Sequence, residues 1–222
     1  FGAAGGYIAG SRALISLLRT RGHASCYSES ISPAVLAQII SSMGSIMGVS
    51  PALSDASAEL ASGETYVYPG PAPASSIPAW MDLPPQLKDG SEGKTRLRRL
   101  AFNSRYLSRG LQKLGFIVYG HADSPIVPLL LFNPGKMTLF SRLMLARKLP
   151  IVVVVVTYPA TTLISGRVRF CMSASHTKED VDLMLTACNE IGDLLDLKHG
   201  HIKERWSLEE VIEKAAELVE ME

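Results

Sequence analysis

Residues 51–93 hold seven of the thirteen prolines of this chain, with many alanines, serines and glycines. Its centre, Tyr68-Pro-Gly-Pro-Ala-Pro-Ala-Ser-Ser-Ile-Pro78, has too few backbone donors and too little apolar surface for a helix or a central strand. The stretch reads as an inserted, mostly disordered surface loop. A structureless loop of this size is uncommon inside one compact domain, so the flanking sequence is read as separate blocks. The expected organisation is residues 1–50 as the tail of a larger α/β domain, 51–93 as the insertion, 94–200 as a small α+β domain, and 201–222 as a C-terminal amphipathic helix.

Ahead of the loop, Gly6-Tyr-Ile-Ala-Gly10 reads as a short buried strand between glycines. Ser11 is placed to cap a helix with Leu14, Leu17 and Leu18 on one face, ended by Gly22. His23 to Ser32 is a polar, serine-rich loop. Pro33 opens a second helix, where its missing N–H costs nothing. That helix is expected to bury Val35, Ile39, Ile40, Met43, Ile46 and Met47.

After the loop, leucines at 97, 100, 107, 111 and 114 predict a helix from Lys94, closed by Gly115. Its cations Arg96, Arg98 and Arg99 read as a solvated face, because the opposite face is leucine-rich. Strands are expected at Phe116–Tyr119, around Pro128 as an edge strand or bulge, at Ile151–Val156 and at the alternating Arg167–Met172. A helix is expected at Met137–Leu149. Thr177-Lys-Glu-Asp180 and Ser207-Leu-Glu-Glu210 are capping-box starts for two more helices, the last running to Met221. The second block is then a small antiparallel or mixed sheet with helices on one side.

Composition works mainly by exclusion. At 47% hydrophobic and 19% charged, the chain can bury a core. A net charge of +1 argues against a nucleic-acid binder. Cys26, Cys171 and Cys188 are too scattered for a disulfide framework or a CxxC metal site, and suit a reducing compartment. Cys171 is expected in the core. The five histidines lack metal-ligand spacing, and no metal ligand is assigned. There is no GxSxG and no Walker loop. Gly-Ala-Ala-Gly-Gly is not a dinucleotide fingerprint, since no strand precedes it. No apolar run approaches the roughly 20 residues of a spanning helix. The chain opens at Phe1 in a glycine-rich apolar run, which reads as a fragment of a longer protein.

Five ordered segments carry a resemblance. They are Phe1-Gly-Ala-Ala-Gly-Gly-Tyr-Ile-Ala-Gly-Ser11, Tyr27-Ser-Glu-Ser-Ile-Ser-Pro33, Asp123-Ser-Pro-Ile-Val-Pro-Leu129, the valine run into Tyr158-Pro-Ala-Thr161, and Arg167-Val-Arg-Phe-Cys-Met-Ser-Ala-Ser-His-Thr177. Together they resemble the α-oxoamine synthases, pyridoxal-phosphate enzymes of the aspartate-aminotransferase fold (fold type I). Within that family they are most similar to the catalytic subunits of eukaryotic serine palmitoyltransferases. The resemblance implies an α/β fold: the end of the large, cofactor-binding domain, then an α+β C-terminal small domain. It implies condensation of L-serine with palmitoyl-CoA to 3-ketosphinganine, CO2 and CoA, with pyridoxal 5'-phosphate as cofactor and a paralogous serine palmitoyltransferase subunit as partner in a heterodimer. It places the protein at the cytosolic face of the endoplasmic reticulum membrane, with any anchor outside this fragment. Another α-oxoamine synthase, of the 5-aminolevulinate synthase or 2-amino-3-ketobutyrate ligase type, stays open, as does a lysine-less non-catalytic subunit.

The resemblance also assigns residues. The Schiff-base lysine is expected just upstream of Phe1, so no lysine of this chain takes that role. Arg169 matches the family arginine that holds the amino-acid carboxylate, which its guanidinium fork suits. Strand alternation sets Arg169 on one face and Val168 and Phe170 on the other. Arg167 shares its face, so a slip by one pair stays open, as does an ordinary surface arginine. Ser28 and Ser30 match positions that reach across the interface to the partner's cofactor phosphate. Hydroxyls before a helix N-terminus suit an anion, although turn and capping serines look the same. Tyr158-Pro-Ala-Thr-Thr162 matches a loop over the active site, with Thr162 where the family has proline. His176 is expected to be a structural neighbour of a helix cap.

Overall fold

The computed structural model describes residues 2–23, 27–49, 71–72, 77–121, 123–202 and 204–220. The chain divides into two compact units, Phe1–Thr95 and Arg96–Glu222.

In the first unit, the Ser11 hydroxyl accepts from the Leu14 N–H and opens helix α1 (Arg12–Arg21). Gly22 ends it by donating its N–H to the Leu18 carbonyl at 2.8 Å. The apolar face forms as expected but stays uncovered: Leu14, Leu17 and Leu18 are exposed, and α1 buries no residue. Gly6–Gly10 is not the buried strand expected. It joins no sheet, and Tyr7 and Ile8 are exposed. A strand needs a neighbour for its N–H and C=O groups, and the only sheet among the described residues belongs to the second unit. Helix α2 (Pro33–Met47) has Pro33 in its first turn, as expected, and Ser32 as its cap. Of its anticipated apolar face only Ile39 is buried, while Ile46 is exposed.

Residues 51–70 and 73–76 lie outside the described residues, and just over half of the expected disordered loop falls there. The rest of the proline-rich stretch carries helical turn α3 (Pro85–Lys88) and the buried Leu83. Val49 donates to the Lys88 carbonyl and Ala72 to the Gly48 carbonyl, both at 2.8 Å. Helix α4 (Ser91–Lys113) starts three residues before its leucine pattern indicated. The Asp89 carboxylate accepts the Ser91 N–H at 2.9 Å. Gly93 allows the close packing, since a methyl there would overlap the Ile46 carbonyl.

In the second unit, α4 buries Tyr106, Leu107, Leu111 and Leu114. It ends at Gly115 as expected. Gly115 has φ +97°; its N–H bonds the Gln112 carbonyl at 2.8 Å, and the Phe116 N–H bonds the Leu111 carbonyl at 3.0 Å. This pair of bonds is the Schellman arrangement.

Strands β1 (Ile126–Leu130), β2 (Val154–Val156) and β3 (Arg167–Cys171) form an antiparallel sheet in the order β1-β3-β2. Pro128 lies on an edge strand with no bulge. The Leu131 N–H bonds Gly166 and the Met172 N–H bonds Pro125, so alternation turns the nitrogen of Pro128 away from β3. On that outer side the expected strand at Phe116–Tyr119 is reduced to a bridge between Val118 and Leu129. Tyr119 donates to the Pro128 carbonyl, but proline has no N–H to return. The valine strand is also shorter than expected, because the Ile151 N–H goes to the Met144 carbonyl. Asn133 caps helix α5 (Pro134–Leu145), which therefore starts before Met137 and ends before Leu149.

Both capping boxes form, Thr177 with Asp180 before α6 (Lys178–Leu194) and Ser207 with Glu210 before α7 (Leu208–Glu213). The last helix is not continuous to Met221. It breaks at Lys214 and resumes as α8 (Ala215–Glu220). One sheet face (Val127, Leu129, Val168, Phe170) joins Phe140, Met144, Val181, Leu185, Val211 and Leu218 in the core. Phe140 meets Phe170 edge-on, with ring centroids 6.5 Å apart. Among the described residues, no helix is long and apolar enough to cross a membrane.

Candidate active site

The opposite sheet face is where the sequence-assigned arginine lies. Register sets Arg169 between Pro128 of β1 and Val154 of β2, and Arg167 between Leu130 and Val156. Val168 and Phe170 are buried, while Arg167 and Arg169 are half-buried and Cys171 is exposed. Both arginines thus stand in the middle strand, flanked by apolar residues. No ion pair joins either to a carboxylate among the described residues.

The two arginines differ in their surroundings. The Arg167 guanidinium lies 5.4 Å from the centroid of the Tyr119 ring. The Nε of Arg169 is buried and has no hydrogen-bond partner. A buried donor without an acceptor is costly, and a carboxylate is the acceptor a guanidinium matches best. Cys171 is not in the core as expected, because its parity on β3 is that of the arginines. Of the two described cysteines the buried one is Cys188, whose titration burial pushes above the usual cysteine range.

The loop carrying Tyr158-Pro-Ala-Thr-Thr162 joins β2 to β3, and so begins at the Arg167 end of this face. Ala160 and Thr161 donate to the Thr157 carbonyl at 3.0 and 3.3 Å. The Thr162 and Ser165 hydroxyls are 2.7 Å apart. Tyr158 is exposed, whereas the Thr161 hydroxyl is buried without a partner.

Beyond the other end of β3, buried Asn103 of α4 pins the turn into α6. Its amide donates to the carbonyls of Ser173 at 3.2 Å and His176 at 2.8 Å. His176 Nδ1 accepts the Ser173 N–H at 3.2 Å, which fits the structural role expected of it. A pocket of about 840 Å³ lies beside this turn, lined by Ile151, Phe170, Cys171, His176 and Met184 among others. Arg169 is not in its wall, although Cys171 of the same sheet face is.

The loop before β1 is held by Arg105, whose Nε donates to Asp123 at 2.5 Å. The guanidinium holds the Asp123 carboxyl below its ordinary value. Tyr106 donates to Asp182 at 2.5 Å, and burial with that carboxylate raises the phenol above its usual range.

Ser28 and Ser30 belong to the first unit. Both are exposed, in the loop leading to the Ser32 cap of α2. Among the described residues no cluster of histidine, cysteine and carboxylates could hold a metal ion. Sequence reasoning did not single out Tyr119 or the Thr161 hydroxyl. Tyr119 could have been found from the alternation of Phe116–Tyr119 beside a proline-bearing edge strand. Nothing in the sequence marks Thr161 as buried.

The chain is 47% identical over 224 residues to serine palmitoyltransferase 2 of Saccharomyces cerevisiae, covering 98% of this chain and 33% of that protein. It is 46% identical to serine palmitoyltransferase 2 of Schizosaccharomyces pombe (89% and 26% covered) and 40% identical to serine palmitoyltransferase 3 of Homo sapiens (91% and 30%). It therefore spans about a third of the length of the curated relatives it matches. Among solved structures, Sphingomonas wittichii serine palmitoyltransferase overlaps 50% of this chain and 28% of its own, at 21% identity and a TM-score of 0.46. The model of the family described as aminotransferase class I and II matches residues 42–187, well over half of the chain. By that match the chain belongs to the class I and II aminotransferase family, whose fold the sequence resemblance implied.

Proposed function

We propose that the full-length protein is the catalytic subunit of a serine palmitoyltransferase, condensing L-serine with palmitoyl-CoA to 3-ketosphinganine, CO2 and CoA. Family membership brings pyridoxal 5'-phosphate as the cofactor. The observation that carries the reading is the buried, unpartnered Nε of Arg169 on a sheet face without carboxylates. The relatives' names, at 40–47% identity, favour serine and a long acyl chain over the substrates of other α-oxoamine synthases.

In this reading Arg169 takes the serine carboxylate through two parallel N–H···O bonds. Pro128 and Val154 on either side offer it no competing polar side chain. The guanidinium thereby fixes which bond of the amino acid is orientated for breakage, and gives up its partner when that carboxylate leaves as CO2. The cofactor, when bound, supplies the electron sink for the carbon that loses the carboxylate and joins the acyl group. Residues of this chain that fit its phosphate are Ser28 and Ser30, hydroxyl donors ahead of the α2 N-terminus. By the resemblance they face the partner subunit's site across the interface, and in a heterodimer whose partner lacks the Schiff-base lysine that contact serves no catalytic cofactor. The Schiff-base lysine belongs to the polypeptide upstream of Phe1. The 1–50, 51–93, 94–200 and 201–222 organisation, and residence at the endoplasmic reticulum membrane, are part of the same proposal.

The test is product analysis of the full-length enzyme with palmitoyl-CoA and either serine or glycine. Formation of 3-ketosphinganine from serine is the expected result. Preference for glycine would move the assignment to another α-oxoamine synthase. No product with either, together with cofactor bound only by the partner, would make this the non-catalytic subunit.

A further inference from the structure

We propose that Arg167 is a positioning residue that acts through Arg169. Held over the Tyr119 ring, its cation raises the affinity of the β3 face for the amino-acid carboxylate. The inference rests on the reading of Arg169 above.

Four observations carry it. Arg167 and Arg169 have the same parity on β3, so they share the open face roughly 7 Å apart along the strand. Their cross-strand neighbours are Leu130, Pro128, Val156 and Val154, none of them charged. Cys171, next on that face, is opposite Ile126. The ion pairs among the described residues of this unit lie elsewhere, for instance at Arg105–Asp123, Arg147–Glu190, Lys178–Asp182 and Lys198–Asp193. Two adjacent cations with no acid on their face repel each other, and a single carboxylate between them relieves both. Finally, Tyr119 offers Arg167 a π-face at 5.4 Å, which holds the guanidinium without neutralising it. A carboxylate in the same place would have held Arg167 equally well and cancelled its field. The arrangement keeps one arginine as the fork that binds the carboxylate and the other as a fixed charge behind it.

The consequence is electrostatic. A second cation within about 10 Å of a half-buried carboxylate is worth a few-fold to about tenfold in affinity at low ionic strength, and its effect fades with salt. The experiment is steady-state kinetics of the full-length enzyme, with KM for L-serine and for palmitoyl-CoA measured from low salt to about 0.5 M NaCl. Arg167→Gln is expected to raise KM for serine about three- to tenfold at low salt. The gap to the wild type should close as salt rises, with KM for palmitoyl-CoA unmoved. Arg167→Lys should recover most of the loss, since it keeps the charge. Tyr119→Phe should keep the low KM that Tyr119→Leu loses.

A wild-type serine KM in Arg167→Gln at low salt would overturn the proposal. So would a rise in KM that salt does not change, which is the mark of a structural role. Arg169→Gln run beside it separates the two readings. If Arg169→Gln abolishes serine binding while Arg167→Gln is normal, only the role of Arg167 fails. If neither variant alters serine binding, the assignment of the face fails with it.

Discussion

Arg169 and Arg167 have the same chemistry and the same strand, and the surroundings of each side chain separate them. Arg169 presents a buried Nε that no protein group accepts. Lysine in its place keeps the charge and loses the planar fork. Arg169→Lys in the full-length enzyme should therefore raise KM for serine roughly ten- to a hundredfold, the worth of one charge-assisted hydrogen bond, while cofactor affinity changes little. An unchanged serine dependence would remove Arg169 from the site. Asp123 gives a prediction in pH. Its carboxyl is held below the ordinary value of 3.8 by the hydrogen bond from Arg105, against some desolvation. A carboxylate with a lowered folded-state pKa contributes stability that is present above the unfolded-state value and is lost as pH falls through the folded-state value. The urea midpoint of the wild type should exceed that of Asp123→Asn above about pH 4, and the difference should shrink on further acidification. A difference that persists unchanged at pH 2.5 would mean the pair is not what holds this loop.

Pro128 shows how one residue limits an element. Its carbonyl accepts from Tyr119, yet it has no N–H to return, so the Phe116–Tyr119 segment pairs by a bridge alone. Pro128→Val supplies the missing donor on the side facing Tyr119. The expected result is slower hydrogen exchange at Tyr119 and a protected new amide at residue 128, with β3 unaffected. Exchange at Tyr119 as fast as in the wild type would place the limit elsewhere, for instance in the turn at Gly120. The same logic explains what could be read in advance. Helix starts at Ser11, Pro33, Thr177 and Ser207, and the helix end at Gly115, were legible because a cap is satisfied within three or four residues of itself. Strand extents were not, because they depend on partners distant in sequence: the valine run lost Ile151 to a carbonyl of α5, and Gly6–Gly10 found no sheet. Alternation correctly set Arg169 opposite to Val168 and Phe170. The error at Cys171 was to treat an apolar side chain as buried when its parity already set it with the arginines. The break at Lys214 has no glycine or proline to announce it.

At the scale of the whole molecule, the two units are unequal in what they bury. The second holds a continuous core from Tyr106 to Leu218. In the first, the buried hydrophobic residues among those described are Ile39, Ala72 and Leu83, while Tyr7, Ile8, Leu14, Leu17, Leu18, Tyr27, Ile31 and Leu36 are exposed. Apolar burial is the main favourable term in folding, and segments with few buried contacts open at the least cost. In the 222-residue chain by itself, α1 and α2 should thus exchange their amide hydrogens far faster than β3, α6 and the part of α4 around Tyr106. In the full-length protein, of which this chain matches about a third in its relatives, α1 and α2 should gain protection as their apolar faces are covered. Ser28 and Ser30 lie between these two helices, so their geometry depends on the less stable unit. With the Schiff-base lysine proposed to lie upstream of Phe1, the isolated chain should bind pyridoxal phosphate weakly in equilibrium dialysis and show no condensation activity, even though the Arg169 face belongs to the well-packed unit. Tight cofactor binding by it would overturn that placement of the lysine. Equal protection of α1 and α6 in the isolated chain would show that the first unit stands on its own and that the exposed leucines are its ordinary surface.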